Sequence, residues 1–480
     1  MDARSEQAAI PLAVDLDGTL IATDLLWEGL FMLLRRQPFA IFLVPFWLAG
    51  GPARLKLEIA RRVDLDPANL PYRQEVLALL RAERAAGRRI VLATGTPRRF
   101  AEAIAAHLGL FDEVLATDGA HNLTSGRKSE ALLQAYGDAG FDYIGNSRHD
   151  VRVFDAARNA VVVAPDRAAA RWQARNVGSR LIAAEKPTWR TILRMLRVHQ
   201  WLKNTLVFVP VILAHEFWSL HMVAAALLGF VSFSAAASAI YIVNDFFDLS
   251  VDRLHPTKRT RPFASGVLSI PFGMACSACL LAVSFAIALA LPIEFMGVLL
   301  LYVASTTAYS LSVKRMLLLD VMMLAGLYTM RVLAGTAATG VDSSFWLLAF
   351  STFFFLSLAL VKRYVELHSA RLVEGERIAG RGYRAEDREV VSQAGMASAF
   401  SAALVLALYI DSDAVRMQYA HPWIVWPLAP IVLYITMRIW ILARRGEMYD
   451  DPVVFIISDW RSQLFGAVGA LLLLAAIFLP

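Results

Sequence analysis

Along the first 185 residues, short apolar runs alternate with amphipathic stretches. The runs Ile10–Val14, Arg89–Ala93, Phe141–Ile144 and Ala160–Ala164 stop at Asp15, Thr94, Gly145 and Pro165, residues that suit a turn or a catalytic loop. Between them, Arg73–Ala86 and Pro97–Leu108 space their apolar positions as a one-sided helix does. Strands alternating with helices predict a soluble α/β domain built on a parallel sheet. Phe39–Gly51, FAIFLVPFWLAGG, breaks the rhythm: it holds a proline and is shorter than the roughly 20 apolar residues a spanning helix needs. It is expected as a small helical cap over the sheet or as a segment dipping into a membrane surface.

Beyond residue 190 the apolar runs lengthen. About nine candidate transmembrane helices, centred near residues 208, 232, 280, 302, 327, 353, 402, 432 and 471, follow from hydropathy. The loops after the second, fourth, sixth and eighth carry RLHPTKRTR, SVKR, KRYVELHSARLVEGERIAGRGYRAEDR and ARRGEMYDD, while the alternate loops hold almost no Lys or Arg except Arg416. The positive-inside rule places the charged loops, and the N-terminal domain with them, in the cytoplasm. The expected fold is therefore an N-terminal α/β domain (1–185), a basic amphipathic connector (186–200, overlapping the basic stretch of about 165–195), and an all-α polytopic membrane domain (201–480).

Composition agrees with that division. Apolar residues make up 57% of the 480 and charged residues 18%, and mean hydropathy is +0.51, which excludes disorder over most of the length. The net charge of +6 invites a nucleic-acid reading, but most of it flanks apolar runs, so no nucleic acid is expected as a partner. Cys276 and Cys279 lie within an apolar helix, where packing rather than redox chemistry is the expected role. The N-terminus has no apolar stretch long enough for a secretory signal. The localisation implied is the cell inner membrane, multi-pass.

The segment IYIVNDFFDLSVDRLHPTKRTRPFASG sets Asn244, Asp245, Asp248 and Asp252 on one face at the end of an apolar helix. Carboxylates at membrane depth are costly, so a functional site is the default reading, and oxygen ligands of this kind suit Mg2+ shared with substrate phosphates. Lys258, Arg259 and Arg261 follow as candidate phosphate contacts. The pattern NDxxDxxxD followed by KRxRPxxxG resembles the UbiA-type intramembrane transferases. That resemblance implies a membrane helical fold and Mg2+ at aspartate motifs that activate a diphosphate. Typical members carry a second DxxxD motif; here Asp320 stands alone, with Leu324 where the second acid would fall. Lys314 and Arg331 supply cations instead, and with RVHQWLKN (including Lys203 and Asn204) and KRYVEL (Lys362 and Arg363) the segment resembles the decaprenyl-phosphate phosphoribosyltransferase branch. The resemblance implies phosphoribosyl diphosphate and a polyprenyl phosphate as substrates, with Asp245 and Asp248 at the catalytic metal and Asp320, Asn244 and Asp252 as further ligands. Lys314, Lys362 and Arg363 also suit ordinary positive-inside anchoring, and Tyr309 is either a substrate contact or an interfacial aromatic.

In the N-terminal half, AVDLDGTL places Asp15 and Asp17 directly after a strand, as a nucleophilic carboxylate beside a proton shuttle would be. DxDGT resembles the haloacid dehalogenase superfamily. In that reading Thr94 binds phosphate, Lys128 holds the phosphoryl group, and Asp15, Asp17, Asn146 and Asp150 hold Mg2+. Asn146 stands where the family usually has an acid, so the metal site loses a charge. Joined, the halves read as a two-step enzyme that transfers 5-phosphoribose to a lipid phosphate and then removes the 5-phosphate. The alternative is an aromatic prenyltransferase using a polyprenyl diphosphate, with a regulatory or scaffold N-terminal domain. Oligomeric state is not legible.

Overall fold

The computed structural model describes residues 10–119, 122–342, 344–369, 376, 381–419, 421–448 and 451–478. The chain forms two compact units: Met1–Leu196 with Tyr241–Ser277, and Arg197–Ile240 with Ala278–Pro480. This division differs from a single break near residue 200, because the segment bearing the aspartate face packs with the first unit.

The first unit is built on six parallel strands, β1 (Leu12–Val14), β2 (Ile90–Pro97), β3 (Glu113–Thr117), β4 (Asp142–Gly145), β5 (Ala160–Val163) and β6 (Arg180–Ile182), in the order β3-β2-β1-β4-β5-β6. Side chains alternate across the sheet as period-two geometry requires. Leu12, Val14, Ile90, Leu92 and Ile144 enter one core, and Ala13, Val91, Ala93, Tyr143 and Val162 enter the other. Both faces are buried, as parallel sheets demand. The chain runs outward from β1 in one direction to β2 and β3 and in the other to β4, β5 and β6, so a crevice opens at the carboxyl ends of β1 and β4. β3 and β6 were not expected from the sequence. β6 and the helix Arg167–Arg175 also draw much of the basic stretch 165–195 into the domain itself.

Helix Leu25–Arg36 begins on Asp24, whose Oδ1 accepts the Leu26 amide at 2.9 Å, and ends on Arg35 and Arg36, both ends suiting the helix dipole. Phe39–Gly51 folds as a 3-10 turn, Pro38–Phe42, and a short helix, Val44–Ala49, with Phe39 82% exposed and Phe42 and Phe46 also outward.

In the second unit, eight helices among the described residues are long and apolar enough to cross a membrane, counting Leu220–Phe247 and Ile270–Ala288, which each run from one unit into the other. The ninth expected span, near residue 208, is instead a 3-10 stretch, Val198–Phe208, followed by a five-residue helix, Val209–Leu213. Its apolar run is short, and Lys203 and Asn204 are buried within it. Spanning helices meet through small residues, as close packing in lipid requires. Ser232 and Ser284 exchange bonds with each other's carbonyls at 2.9 and 2.8 Å, and Gly395 leaves room for the Trp440 ring.

Candidate functional sites

The crevice of the first unit gathers the expected hydrolase residues. Asp15 follows β1 and is buried; its Oδ1 accepts Lys128 Nζ at 2.7 Å, and its Oδ2 faces the Thr19 hydroxyl at 3.4 Å. Gly18 turns the loop at φ +76, where an added Cβ would strike the Asn146 side chain. Asp17 is fixed by the Leu25 amide at 3.0 Å and the Thr96 hydroxyl at 2.5 Å. Burial pushes the Asp15 carboxyl up to about 7 against the pull of Lys128, and burial with the charge of Asp24 pushes Asp17 up to about 6. Burial thus raises both carboxyls toward neutrality, and they titrate as a pair.

Lys128 is held in its charged form by Asp15 and Asp150 despite its burial. Asp150 is not open to a metal in this arrangement. Its Oδ1 accepts Lys128 Nζ at 3.0 Å and Tyr143 Oη at 2.7 Å, and its Oδ2 accepts the Asn146 and Ser147 amides and the Ser147 hydroxyl. Thr94 is fully buried and accepts the Thr96 amide at 3.1 Å; Gly95, not Thr94, borders the cavity. Sequence reading missed Thr96 and Tyr143, both of which look like ordinary strand residues. The donors left for Mg2+ are the Asp15 carboxylate and the Asn146 amide. They fit a hard cation that completes its shell with water and substrate oxygen, though with one charge fewer than a two-acid site.

The aspartate face is also in the first unit. Arg261 Nη1 bridges Asp245 Oδ1 at 3.2 Å and Asp252 Oδ2 at 2.6 Å, both carboxylates being buried. Burial pushes Asp252 above the ordinary carboxylate range even against Arg261. Asp248 is half-buried and lies 3.7 Å from Arg35 in Leu25–Arg36, the cap helix, which packs in one apolar cluster with the Phe39–Gly51 segment. Among the described residues no three His, Cys, Asp or Glu converge as a ready metal cage, so the expected set of Asn244, Asp245, Asp248 and Asp252 is not gathered on one point. Asp245 and Asp252 do share a point, and an all-oxygen pair matches Mg2+, which commonly takes one or two carboxylates and leaves the rest to substrate phosphate and water. The basic run divides: Arg261 serves the aspartates, while Lys258 and Arg259 are both exposed, Arg259 at the border of the hydrolase cavity.

The second unit buries a cationic cluster. Asp451, absent from the sequence-based set, accepts Lys203 at 2.6 Å, Lys362 at 3.3 Å and Tyr328 Oη at 3.2 Å. Arg331 donates to Asn204 Oδ1 at 2.8 Å and lies 5.3 Å from the ring centres of both Tyr302 and Tyr328. Lys203 and Lys362 thus share one carboxylate, and Arg331 joins them through the Tyr328 ring, which Lys203 also faces. Asp320, fully buried, is paired with Arg363 and accepts Tyr383 Oη at 2.7 Å, so it is committed to protein partners rather than poised as a metal ligand. Tyr309 Oη and the Lys314 carbonyl accept Arg381, another residue not anticipated.

Comparisons with known proteins follow these two divisions of chemistry. The model of the UbiA prenyltransferase family matches residues 205–460, and that of haloacid dehalogenase-like hydrolases matches 12–155. An uncharacterized protein, y4nM, of Sinorhizobium fredii is 38% identical over 96% of this chain and 90% of its own length. The nodulation protein NoeC of Azorhizobium caulinodans is 33% identical over 58% of this chain and 91% of its own. Decaprenyl-phosphate phosphoribosyltransferase of Mycobacterium tuberculosis is 34% identical over 37% of this chain, which spans 61% of that relative. A UbiA homologue from Archaeoglobus fulgidus, solved bound to DMAPP and Mg2+, is 19% identical with a TM-score of 0.44, covering 60% of this chain and 99% of its own.

Proposed function

This chain belongs to the UbiA prenyltransferase family and carries a haloacid dehalogenase-like domain at its N-terminus, and from that premise we propose that it moves 5-phosphoribose from phosphoribosyl diphosphate to a polyprenyl phosphate and then removes the 5-phosphate. The product is polyprenyl-phosphoryl ribose, made in the cell inner membrane with the hydrolase domain on the cytoplasmic side. The observation that carries the reading is the pair Lys203 and Lys362 on the one carboxylate of Asp451, with buried Arg331 against Tyr328, whose hydroxyl also reaches Asp451: an excess of positive charge suited to a highly anionic substrate. Similarity to decaprenyl-phosphate phosphoribosyltransferases, partial in its coverage, supports the same substrates.

In the transfer step a lipid phosphate oxygen bonds to C1 of the ribose as the bond to diphosphate breaks. The attacking phosphate is already ionised at neutral pH, so no general base is required. Arg261, beside Asp245 and Asp252, offsets charge on the phosphates. Mg2+, held by Asp245 and Asp252 here and by Asp15 and Asn146 in the hydrolase domain, would supply Lewis-acid neutralisation of phosphate oxygens.

In hydrolysis an Asp15 oxygen attacks the 5-phosphate and breaks its bond to the sugar, while Asp17 gives its proton to the departing C5 oxygen. Water then cleaves the aspartyl phosphate, returns a proton to Asp17 and frees inorganic phosphate. Lys128 holds Asp15 in place and balances charge.

The test is mass spectrometry of lipids after the purified chain is incubated with phosphoribosyl diphosphate, polyprenyl phosphate and Mg2+. Lipid-linked ribose is expected from the wild type, and its 5-phosphate from Asp15→Asn. Prenylation of a phenol from a polyprenyl diphosphate, with no ribosylated lipid, would replace this reading with the aromatic prenyltransferase.

A further inference from the structure

The hydrolase crevice opens into a cavity of about 1390 Å³, larger than a lone sugar phosphate needs. One wall is not part of the α/β domain by sequence. It is the segment 253–272, which follows the aspartate face and ends in the first turn of the spanning helix Ile270–Ala288.

That wall is fixed against the nucleophile loop. Arg253 donates to Glu28 at 2.9 Å and to the Ala264 carbonyl at 3.0 Å, both side chains of the ion pair being buried. Gly266, at φ +77, lies so close to Ala22 that an added Cβ would stand 2.4 Å from its carbonyl oxygen. The lining therefore runs continuously from Asp15, Asp17 and Lys128 to Arg259, and on to Leu268, Ile270 and Phe272.

Most of the cavity's cations are already engaged. Lys128 serves Asp15 and Asp150, Lys56 donates to the Gly95 carbonyl, Arg73 to the Gly18 carbonyl, and Arg253 to Glu28. Among the described residues, the Arg259 guanidinium shows no side-chain partner; Lys186 is similar, but its neighbour Glu185 also borders the cavity and offsets it. A guanidinium fork is suited to two oxygens of one phosphate.

We propose that this cavity recognises two phosphates on one amphiphile: a terminal phosphomonoester at Asp15 and a second, internal phosphate at Arg259. The apolar tail leaves past Leu268, Ile270 and Phe272 toward the spanning helix. The inference rests on the hydrolase reading above and adds to it a specificity residue, Arg259, supplied by the transferase half. A soluble sugar phosphate engages one end alone; a lipid-linked sugar phosphate engages both.

The test compares phosphate release by the full-length chain in detergent from two probes, ribose 5-phosphate and a synthetic farnesyl-phosphoryl ribose 5-phosphate. The wild type is expected to favour the lipid-linked probe in kcat/KM. Arg259→Ala should lower the ratio of the two kcat/KM values about 10- to 100-fold, mainly through KM of the lipid probe, the worth of a charge-assisted phosphate contact. Arg259→Lys should recover part of the ratio. If the ratio is the same in wild type and Arg259→Ala, with both enzymes active, the second-phosphate site is refuted while the hydrolase reading stands. If the wild type releases phosphate from neither probe, the hydrolase reading fails and this inference with it.

Discussion

The ion pair between Glu28 and Arg253 ties the cap helix to the segment that follows the aspartate face, and its removal should be felt strongly. The side chains are only 4% and 8% exposed, and the guanidinium makes bonds of 2.9 and 2.5 Å to the two carboxylate oxygens. In Glu28→Ala the cation stays buried with only the Ala264 and Asn69 carbonyls, at 3.0 and 3.4 Å. Breaking a buried pair in this way costs about 3–5 kcal/mol, against about 0–1 for a pair on the surface. Removing both charges with Glu28→Ala and Arg253→Met eliminates the stranded ion, so the double variant should regain about 2–3 kcal/mol relative to the sum of the single losses. The assay is the rate at which phosphate release from ribose 5-phosphate is lost at a fixed elevated temperature in detergent. Glu28→Ala should inactivate on the order of a hundredfold faster than wild type, and the double variant markedly slower than Glu28→Ala. Inactivation of Glu28→Ala within threefold of wild type, or a double variant showing the plain sum of both losses, would refute the reasoning.

Three further outcomes are expected. Asp245→Asn removes one of the two carboxylates that share Arg261, and lipid ribosylation should fall on the order of 10²- to 10³-fold; transfer within threefold of wild type at limiting Mg2+ would remove Asp245 from the site. Asn146→Asp adds the missing charge beside Asp15, so the Mg2+ concentration for half-maximal phosphate release should drop about tenfold or more, as a metal titration would show. Attack needs Asp15 ionised and departure of the C5 oxygen needs Asp17 protonated, and with the two carboxyls near 7 and 6, hydrolysis of ribose 5-phosphate should peak between those values and decline above about pH 7; 4-nitrophenyl phosphate, whose leaving group needs no proton, should lack that alkaline limb, and equal limbs for both substrates would exclude Asp17 as the acid.

Much of the architecture is legible because its signals are local. β1, β2, β4 and β5 are short buried runs that stop at Asp15, within β2 at Thr94, and close to Asn146 and Pro165. β6 is not legible, since an edge strand pairs on one side alone and reads Arg-Leu-Ile between polar residues. β3 begins with Glu113 and is half-exposed over its first positions, which erases the apolar run. The missing ninth span has a similar cause: an apolar stretch was counted without weighing the burial of Lys203 and Asn204, whose partners Asp451 and Arg331 are distant in sequence. Asp451 itself sits in a charged loop that reads as solvated.

The basic run 258–261 shows how sequence adjacency misleads about shared chemistry. Read as one patch, Lys258, Arg259 and Arg261 all serve the diphosphate. The chain makes a 3-10 turn at Lys258–Thr260, where successive side chains diverge by about 120°, so neighbours cannot face one ligand. Arg261 turns to Asp245 and Asp252, and Arg259 to the hydrolase cavity. The same division occurs in the preceding helix, Leu249–Leu254, where Asp252 joins Arg261 while Arg253, the next residue, joins Glu28. One short segment thus places neighbouring residues at two different centres. In the proposed two-step reading, the wall of the hydrolase cavity and the counter-ion of the aspartate pair are therefore one short stretch of chain, which a tether between two separate enzymes would not provide.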